Sequence, residues 1–282
     1  LFPKLGAIPI VLHRPLEGIP KACTLTWDAD QWFASIVCEV EVPEPVPPAG
    51  PPVALDRGIV NLLADSTGRV LPNPAHLERQ LAKLARLQRR AARKQRRSQN
   101  YRKALLKVAR LHRKIRRQRD HVLHCESARY AKSHGVVIVE ALKVRNMTAS
   151  AAGTKDAPGR NVRAKSTLNR KILDSGWGRF VSMLRYKCAW SGARLVEVPA
   201  AYSSQTCPEC GLVDPENRKT QAEFECIGCG HQAHADVSAA VILNRRTGGD
   251  TVRGGFGEVS RPTKRKVRVV RRVTQHDRVG LS

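Results

Sequence analysis

Apolar and polar residues alternate in different rhythms along the chain, and each rhythm predicts an element. The stretch from Val53 to Ala64 is mostly apolar, and after Asp65-Ser-Thr-Gly68 the pattern resumes at Val70-Leu71, which predicts strand, turn and strand. Gly135-Val-Val-Ile-Val139 is a β-branched run of the kind found in a central strand covered on both faces, and it ends in Glu140. Steps of three and four residues join Leu77, Leu81, Leu84 and Leu87, then Leu105, Val108, Leu111 and Ile115, so two helices are expected, separated at Ser98-Gln99-Asn100. Trp177, Phe180, Val181, Leu184 and Cys188 repeat that spacing as a core helix, and a short apolar helix is expected after Asp236. Strands and helices of this kind predict an α/β core, and 282 residues suffice to bury it. No apolar run approaches the ~20 residues of a bilayer span, so no membrane is expected as a partner.

Charge changes this picture. The chain holds 50 Lys and Arg against 24 Asp and Glu, a net charge of +26. The excess is concentrated in two segments. Residues 74–134 contain 20 basic and 3 acidic side chains, and residues 245–282 contain 11 basic and 3 acidic. On the first helical segment Arg86, Arg89, Arg90, Arg93, Lys94, Arg96, Arg97, Arg113, Lys114, Arg116 and Arg117 crowd the polar positions, with almost no acids at helical spacing to pair them. Such a face is expected to contact nucleic-acid phosphates. The glycine-rich, basic tail is expected to be largely disordered. The opening residues lack the pattern of a secretory signal, and Leu1 in place of an initiating Met points to a fragment or a processed product.

Cys207-Pro-Glu-Cys210-Gly and Cys226-Ile-Gly-Cys229-Gly form two CxxC knuckles separated by 15 residues. Each sets two thiolates on one side of a tight turn, and the following glycine lets the backbone fold back toward sulfur. Two facing knuckles predict a tetrahedral four-sulfur site for structural zinc, in preference to disulfides or redox pairs. His231 and His234 lie nearby, but four sulfurs complete the coordination sphere. Cys23, Cys38, Cys125 and Cys188 lack such spacing and are expected to be buried small apolar residues.

Three carboxylates stand in costly or special places. Asp56 interrupts an apolar run, Glu140 closes a buried strand where open α/β sheets keep their sites, and Asp236 caps or begins an apolar helix. Each has an ordinary reading as a turn, strand-end or capping residue. Converging on one crevice, in a chain built for polyanions, they are what two Mg²⁺ ions need to hold a phosphodiester for hydrolysis.

In order along the chain, Asp56-x-Gly58, Glu140-x-Leu142-x-Val144-x-Asn146-Met147, Lys165-Ser-x-Leu-Asn169 through Trp177-Gly178 to Tyr186-Lys187, Ser203-Ser-Gln-Thr-Cys207-Pro-x-Cys210-Gly and Asp236-Val-x-Ala-Ala240 form a recognisable series. From about Leu1 to Arg246 the sequence resembles the TnpB (OrfB) family of insertion-sequence transposon proteins, relatives of the compact type V CRISPR effectors. The resemblance implies an RNase H-like (RuvC) mixed sheet over 53–246, with the basic helical pair inserted at 74–134 and a zinc ribbon at 203–234. Asp56, Glu140 and Asp236 would be its catalytic, Mg²⁺-binding residues. Residues 1–42, with Ala22–Trp27 and Trp32–Cys38, would be the last strands of an N-terminal β-barrel. Residues 43–52 would be a Pro-rich linker and 247–282 the tail. The resemblance implies DNA and a guide RNA from the transposon end as partners, in a prokaryotic, nucleoid-associated cytoplasmic protein. Nothing in the sequence sets an oligomeric state. Two positions depart from the family pattern: Ser238 stands where Asn is usual, and Arg57 replaces an apolar residue.

The implied function is RNA-guided DNA cleavage. A strand-transferring transposase and a non-cleaving nucleic-acid-binding regulator are the alternatives on the same scaffold, and the three acids speak against the regulator. Lys165, Asn169, Arg170, Trp177 and Arg185 occupy a segment that could also touch DNA.

Overall fold

Short, continuously apolar runs build a five-stranded sheet in one of two units of the chain. The computed structural model describes residues 10–12 and 15–247, and the backbone of 264–274. One unit comprises Leu1–Glu44, Gln80–Arg117 and Ser260–Ser282, and the other Pro45–Arg79 and Gln118–Val259.

In the first unit, β1 (Ile19–Asp28) and β2 (Gln31–Pro43) form an antiparallel hairpin, and β10 (Lys264–Thr274) pairs antiparallel with the other edge of β2. The tail expected to be largely disordered therefore supplies a strand over 264–274. Its sequence, with Val267, Val269, Val270 and Val273 among basic residues, is rich enough in β-branched side chains to extend along β2. The rest of that expectation, from 248 to 263 and from 275 onward, lies outside the described residues. Ala34, Ile36 and Cys38 form a small core, packed by Leu16, Leu25 and Val40.

The expected helical pair is present as α1 (Leu81–Ala92) and the 35-residue α2 (Gln99–Ser133). The break falls earlier than expected, over 93–98, because Ser98 supplies a hydroxyl that accepts from the Tyr101 amide and so starts α2. Leu84, Leu111 and Ile115 are buried, whereas Leu105 is 42% exposed and leaves the expected stripe.

In the second unit the strands are β3 (Val53–Asp56), β4 (Asn61–Asp65), β5 (Val70–Pro72), β6 (Val136–Glu140) and β7 (Arg194–Val198), in spatial order β5-β4-β3-β6-β7. β3, β6 and β7 run parallel, while β4 and β5 are antiparallel, so the sheet is mixed as expected. Val53, Leu55, Val137 and Val139 pack with Leu123 and Tyr130 of α2 and with Phe180, Leu184 and Cys188 of α5 (Trp177–Ser191). Ala54 and Ile138 point the other way and pack with Val198 and Leu243, the latter from α6 (Ala235–Arg245). The apolar runs are continuous because both faces are covered.

The 65–68 turn is closed by its own carboxylate: Asp65 accepts from the amides of Thr67 and Arg69 and from the Thr67 and Tyr130 hydroxyls, and Gly68 takes a positive φ. Short α3 (Val144–Met147) and α4 (Val162–Ser175) connect β6 to α5. A small hairpin, β8 (Glu223–Glu225) and β9 (Gln232–His234), precedes α6. Of the unpaired cysteines, Cys38 and Cys188 are buried as expected, but Cys23 and Cys125 are exposed, Cys23 in a stretch of β1 that is exposed on both faces.

Candidate functional site

The parallel register that pairs Leu55 with Val139 sets Asp56 beside Glu140 at the carboxyl ends of β3 and β6. By strand alternation both acids share the face of Ala54 and Ile138, the face that α6 covers. Asp236 is the second residue of α6; His234 caps that helix, its Nδ1 accepting from the Asp236 amide at 3.3 Å. The structure thus brings together the three carboxylates singled out in the sequence. Glu140 and Asp236 are buried.

Burial and the neighbouring Glu140 and Asp236 push the Asp56 carboxyl up to about 8, against the opposing pull of Arg218 and Arg57. Burial likewise raises Glu140, with Arg57 opposing. Asp236 is held by two side chains that the sequence reading missed: Asn61 donates to Oδ2 and Arg218 to Oδ1, each at 3.0 Å. Asn61 could have been noticed as an amide opening an apolar strand, whereas Arg218 is an ordinary loop residue until the ribbon folds. Arg57, buried beside the site, donates to the Glu140 carbonyl. Arg246 donates to the carbonyls of Pro199 at 2.7 Å and Ala201 at 2.6 Å, fixing the chain where it leaves β7.

Next to α6, the sulfurs of Cys207, Cys210, Cys226 and Cys229 all lie within 4.8 Å of one another. Two of their separations are 3.6 Å (Cys207 to Cys229) and 3.5 Å (Cys210 to Cys226). Four sulfurs placed tetrahedrally at ~2.3 Å around one zinc ion would stand roughly 3.8 Å apart, so the donor set fits that metal. Gly211 and Gly230, after the second cysteine of each knuckle, take φ of +78° and +73° and donate to the carbonyls of Cys207 and Cys226. The Cys229 amide, with help from that of Gly228, holds the Cys226 thiol down to about 6. The buried Asn217 amide ties the knuckles, donating to the carbonyls of Gln205 and Leu212 and accepting from Ile227. No other group of three or more Cys, His, Asp or Glu among the described residues closes to that spacing, the acid cluster included.

With this geometry in hand, two family models match successive parts of the chain: OrfB_IS605, described as "Probable transposase", over residues 35–151, and the Cas12f1-like TNB domain over residues 177–243. Over residues 35–151 the chain is similar to the OrfB (TnpB) family. It is 43% identical over 239 residues, 85% of this chain, to an Escherichia coli K12 protein named "Putative RNA-guided DNA endonuclease InsQ". A Streptomyces pristinaespiralis protein of the same description, without the InsQ, is 37% identical over 80% of this chain. The chain spans 60% and 53% of the lengths of these two relatives. A solved CRISPR-Cas12f ternary complex aligns with 72% of this chain and 40% of its own at 18% identity, with a TM-score of 0.46.

The OrfB match includes the basic helices. Arg86, Arg89, Arg90, Arg93, Lys94, Arg96, Arg97 and Lys114 are exposed, and no ion pair engages them among the described residues. Arg113 and Arg116 are committed elsewhere: Arg113 pairs with Asp30 at 2.8 Å and donates to the Asp28 carbonyl, and Arg116 pairs with the Asp28 carboxylate. Arg117 lies 5.3 Å over the Phe33 ring.

Lys165 and Asn169 are turned to the backbone after α3, donating to the carbonyls of Met147, Thr148 and Ala149. Trp177 is buried and donates to the Gly58 carbonyl at 3.2 Å, as suits a core residue. Arg185 pairs with Glu197, and Arg170 keeps a buried Nε without a partner. No helix among the described residues is long and apolar enough to cross a membrane.

Proposed function

We propose that this chain is the nuclease portion of an RNA-guided, Mg²⁺-dependent DNA endonuclease with an RNase H-like (RuvC) core. The observation that supports it most is the convergence of Asp56, Glu140 and Asp236, from three distant parts of the sequence, at the carboxyl end of the parallel strands. Burial raises Asp56 and Glu140, with the charge of Asp236 adding to both, and hard oxygen donors of this kind suit Mg²⁺. Two such ions, held by these acids, supply Lewis-acid polarisation of the phosphodiester and charge stabilisation at both reacting oxygens.

The chain's own residues do the rest. Asn61 and Arg218 orient the Asp236 carboxylate, and Arg57 anchors the end of β6 that presents Glu140. The four cysteines hold structural zinc, which fixes the segment leading into α6. The unpaired arginines of α1 bind backbone phosphates of the guide RNA paired to its DNA target, with sequence read by base pairing. The β1–β2 hairpin belongs to the final strands of an N-terminal barrel, and the protein works on DNA at the prokaryotic nucleoid.

The test is cleavage by protein purified from cells that express it together with its flanking DNA, followed by sequencing of the RNA that accompanies it. A single dominant transcript from the element's end, and Mg²⁺-dependent cutting lost by several orders of magnitude in Asp56→Ala, are expected. Cutting that persists in Asp56→Ala overturns the assignment.

A further inference from the structure

Among the described residues, five other than glycine have a positive φ: Ala29, Ala75, Arg97, Asn161 and Tyr202. Four have a local reason. Ala29 lies in the tight turn of the β1–β2 hairpin, and the Ala75 amide donates to Asn73 Oδ1. Arg97 lies in the short connection between α1 and α2, and Asn tolerates the left-handed region. Tyr202, at φ +59°, is the bulky exception, and a bulky side chain there is a true outlier.

Its backbone is fully determined. The Tyr202 carbonyl accepts from the amides of Gln205 and Thr206, each at 3.1 Å, and from the Thr206 hydroxyl at 2.7 Å, while Arg246 clamps the carbonyls of Pro199 and Ala201 before it. The ring, in contrast, does little for the fold. It is 65% exposed, more than any other aromatic side chain described, and its phenol has no hydrogen-bond partner among the described residues. Strain retained at a fixed position whose side chain is left in solvent is a pattern associated with functional sites.

Its place gives the function. Val198 pairs with Glu140, and Tyr202 follows four residues later, a reach of at most roughly 14 Å. The zinc-ligand Cys207 comes five residues after it. The ring therefore stands on the short segment between the acid cluster and the cysteine cluster. We propose that Tyr202 is a stacking platform for a nucleobase of the DNA strand entering the acid site, setting the position of the phosphodiester to be cut. A bare ring face is tolerant of base identity, as a site whose sequence is read elsewhere requires. This inference rests on the nuclease reading above.

The experiment uses the full chain with its co-purified RNA and a DNA substrate carrying 2-aminopurine at successive positions. In Tyr202→Asn, which keeps a residue suited to positive φ, 2-aminopurine quenching should be lost at one or two adjacent positions and KM should rise about tenfold, more than kcat falls. Its Tm should equal or exceed that of the unsubstituted protein, and Tyr202→Phe and Tyr202→Trp should restore both quenching and KM. Unchanged quenching and KM in Tyr202→Asn, beside an active parent, overturns the inference and leaves the nuclease reading intact; a protein-docking role for the ring would give that result. A marked fall in Tm in Tyr202→Asn also overturns it, since the ring would then be packing. If the parent neither binds nor cuts, the nuclease reading fails and this inference fails with it.

Discussion

Asp65 illustrates how one carboxylate can serve structure alone in the same sheet that carries Asp56 and Glu140 of the acid cluster. Burial pushes it upward, but hydrogen bonds from Thr67, Tyr130 and the Arg69 amide outweigh burial and hold it below the usual carboxylate range. A depressed folded-state value means the stabilisation is present above the unfolded-state value and is lost as pH falls through the folded one. Asp65→Asn should therefore cost about 1–2 kcal/mol at neutral pH, and the difference should shrink below roughly pH 4. Thermal unfolding of both proteins across pH checks this, and a gap that stays constant would contradict it. At the acid cluster the fine adjustment belongs to neutral and cationic partners. Asn61→Leu removes one of the two donors on Asp236, and single-turnover cleavage should slow by roughly tenfold with the fold intact. The acids themselves were legible because Asp56 and Glu140 sit within or at the end of apolar strands and Asp236 opens an apolar helix. Asn61, Arg218 and Arg57 were not read as their partners, since only the folded register brings them within reach.

Elements divide the positive charge into two kinds that composition cannot separate. On α1 the arginines are exposed and unpaired; on the first half of α2, Arg110, Arg113 and Arg116 close on Asp28 and Asp30 of the hairpin. Replacing Arg89 and Arg93 by Gln should reduce the slope of log K against log salt for heteroduplex binding by about 2, one for each phosphate left without its arginine. Arg113→Ala should leave that slope unchanged and instead lower the Tm, because the residue is committed to the hairpin turn. The cysteine element behaves as a unit of its own. One zinc ion per chain is expected by elemental analysis, and Cys226→Ser should lose it together with cleavage, because the segment that delivers Asp236 loses its anchor. The two CxxC knuckles were readable from spacing alone, as was the β-branched run of β6. β7, with its exposed Glu197 between half-buried Val196 and buried Val198, and the four-residue α3 gave no comparable signal, and the strand over 264–274 pairs with the edge that β2 offers.

Across the whole molecule, the α/β class could be read before any coordinates, because burial on two faces imposes its rhythm on sequence, whereas the mixed sheet was implied by the family resemblance alone. What escaped was the tertiary detail: which arginines are free, which cysteines are covered and which side chains hold the acids. The parallel pairing of β3 with β6 joins residues more than 80 positions apart, and α6 closes the site from 236. Long-range pairing of this kind is slow to form, since the loop must close before any contact rewards it. During synthesis at ~5–20 residues per second, the ribosome must release nearly all of the α/β unit before the third acid meets the other two. The basic helices of the growing polypeptide are thus expected to leave the ribosome and meet solvent well before the third acid can join the other two.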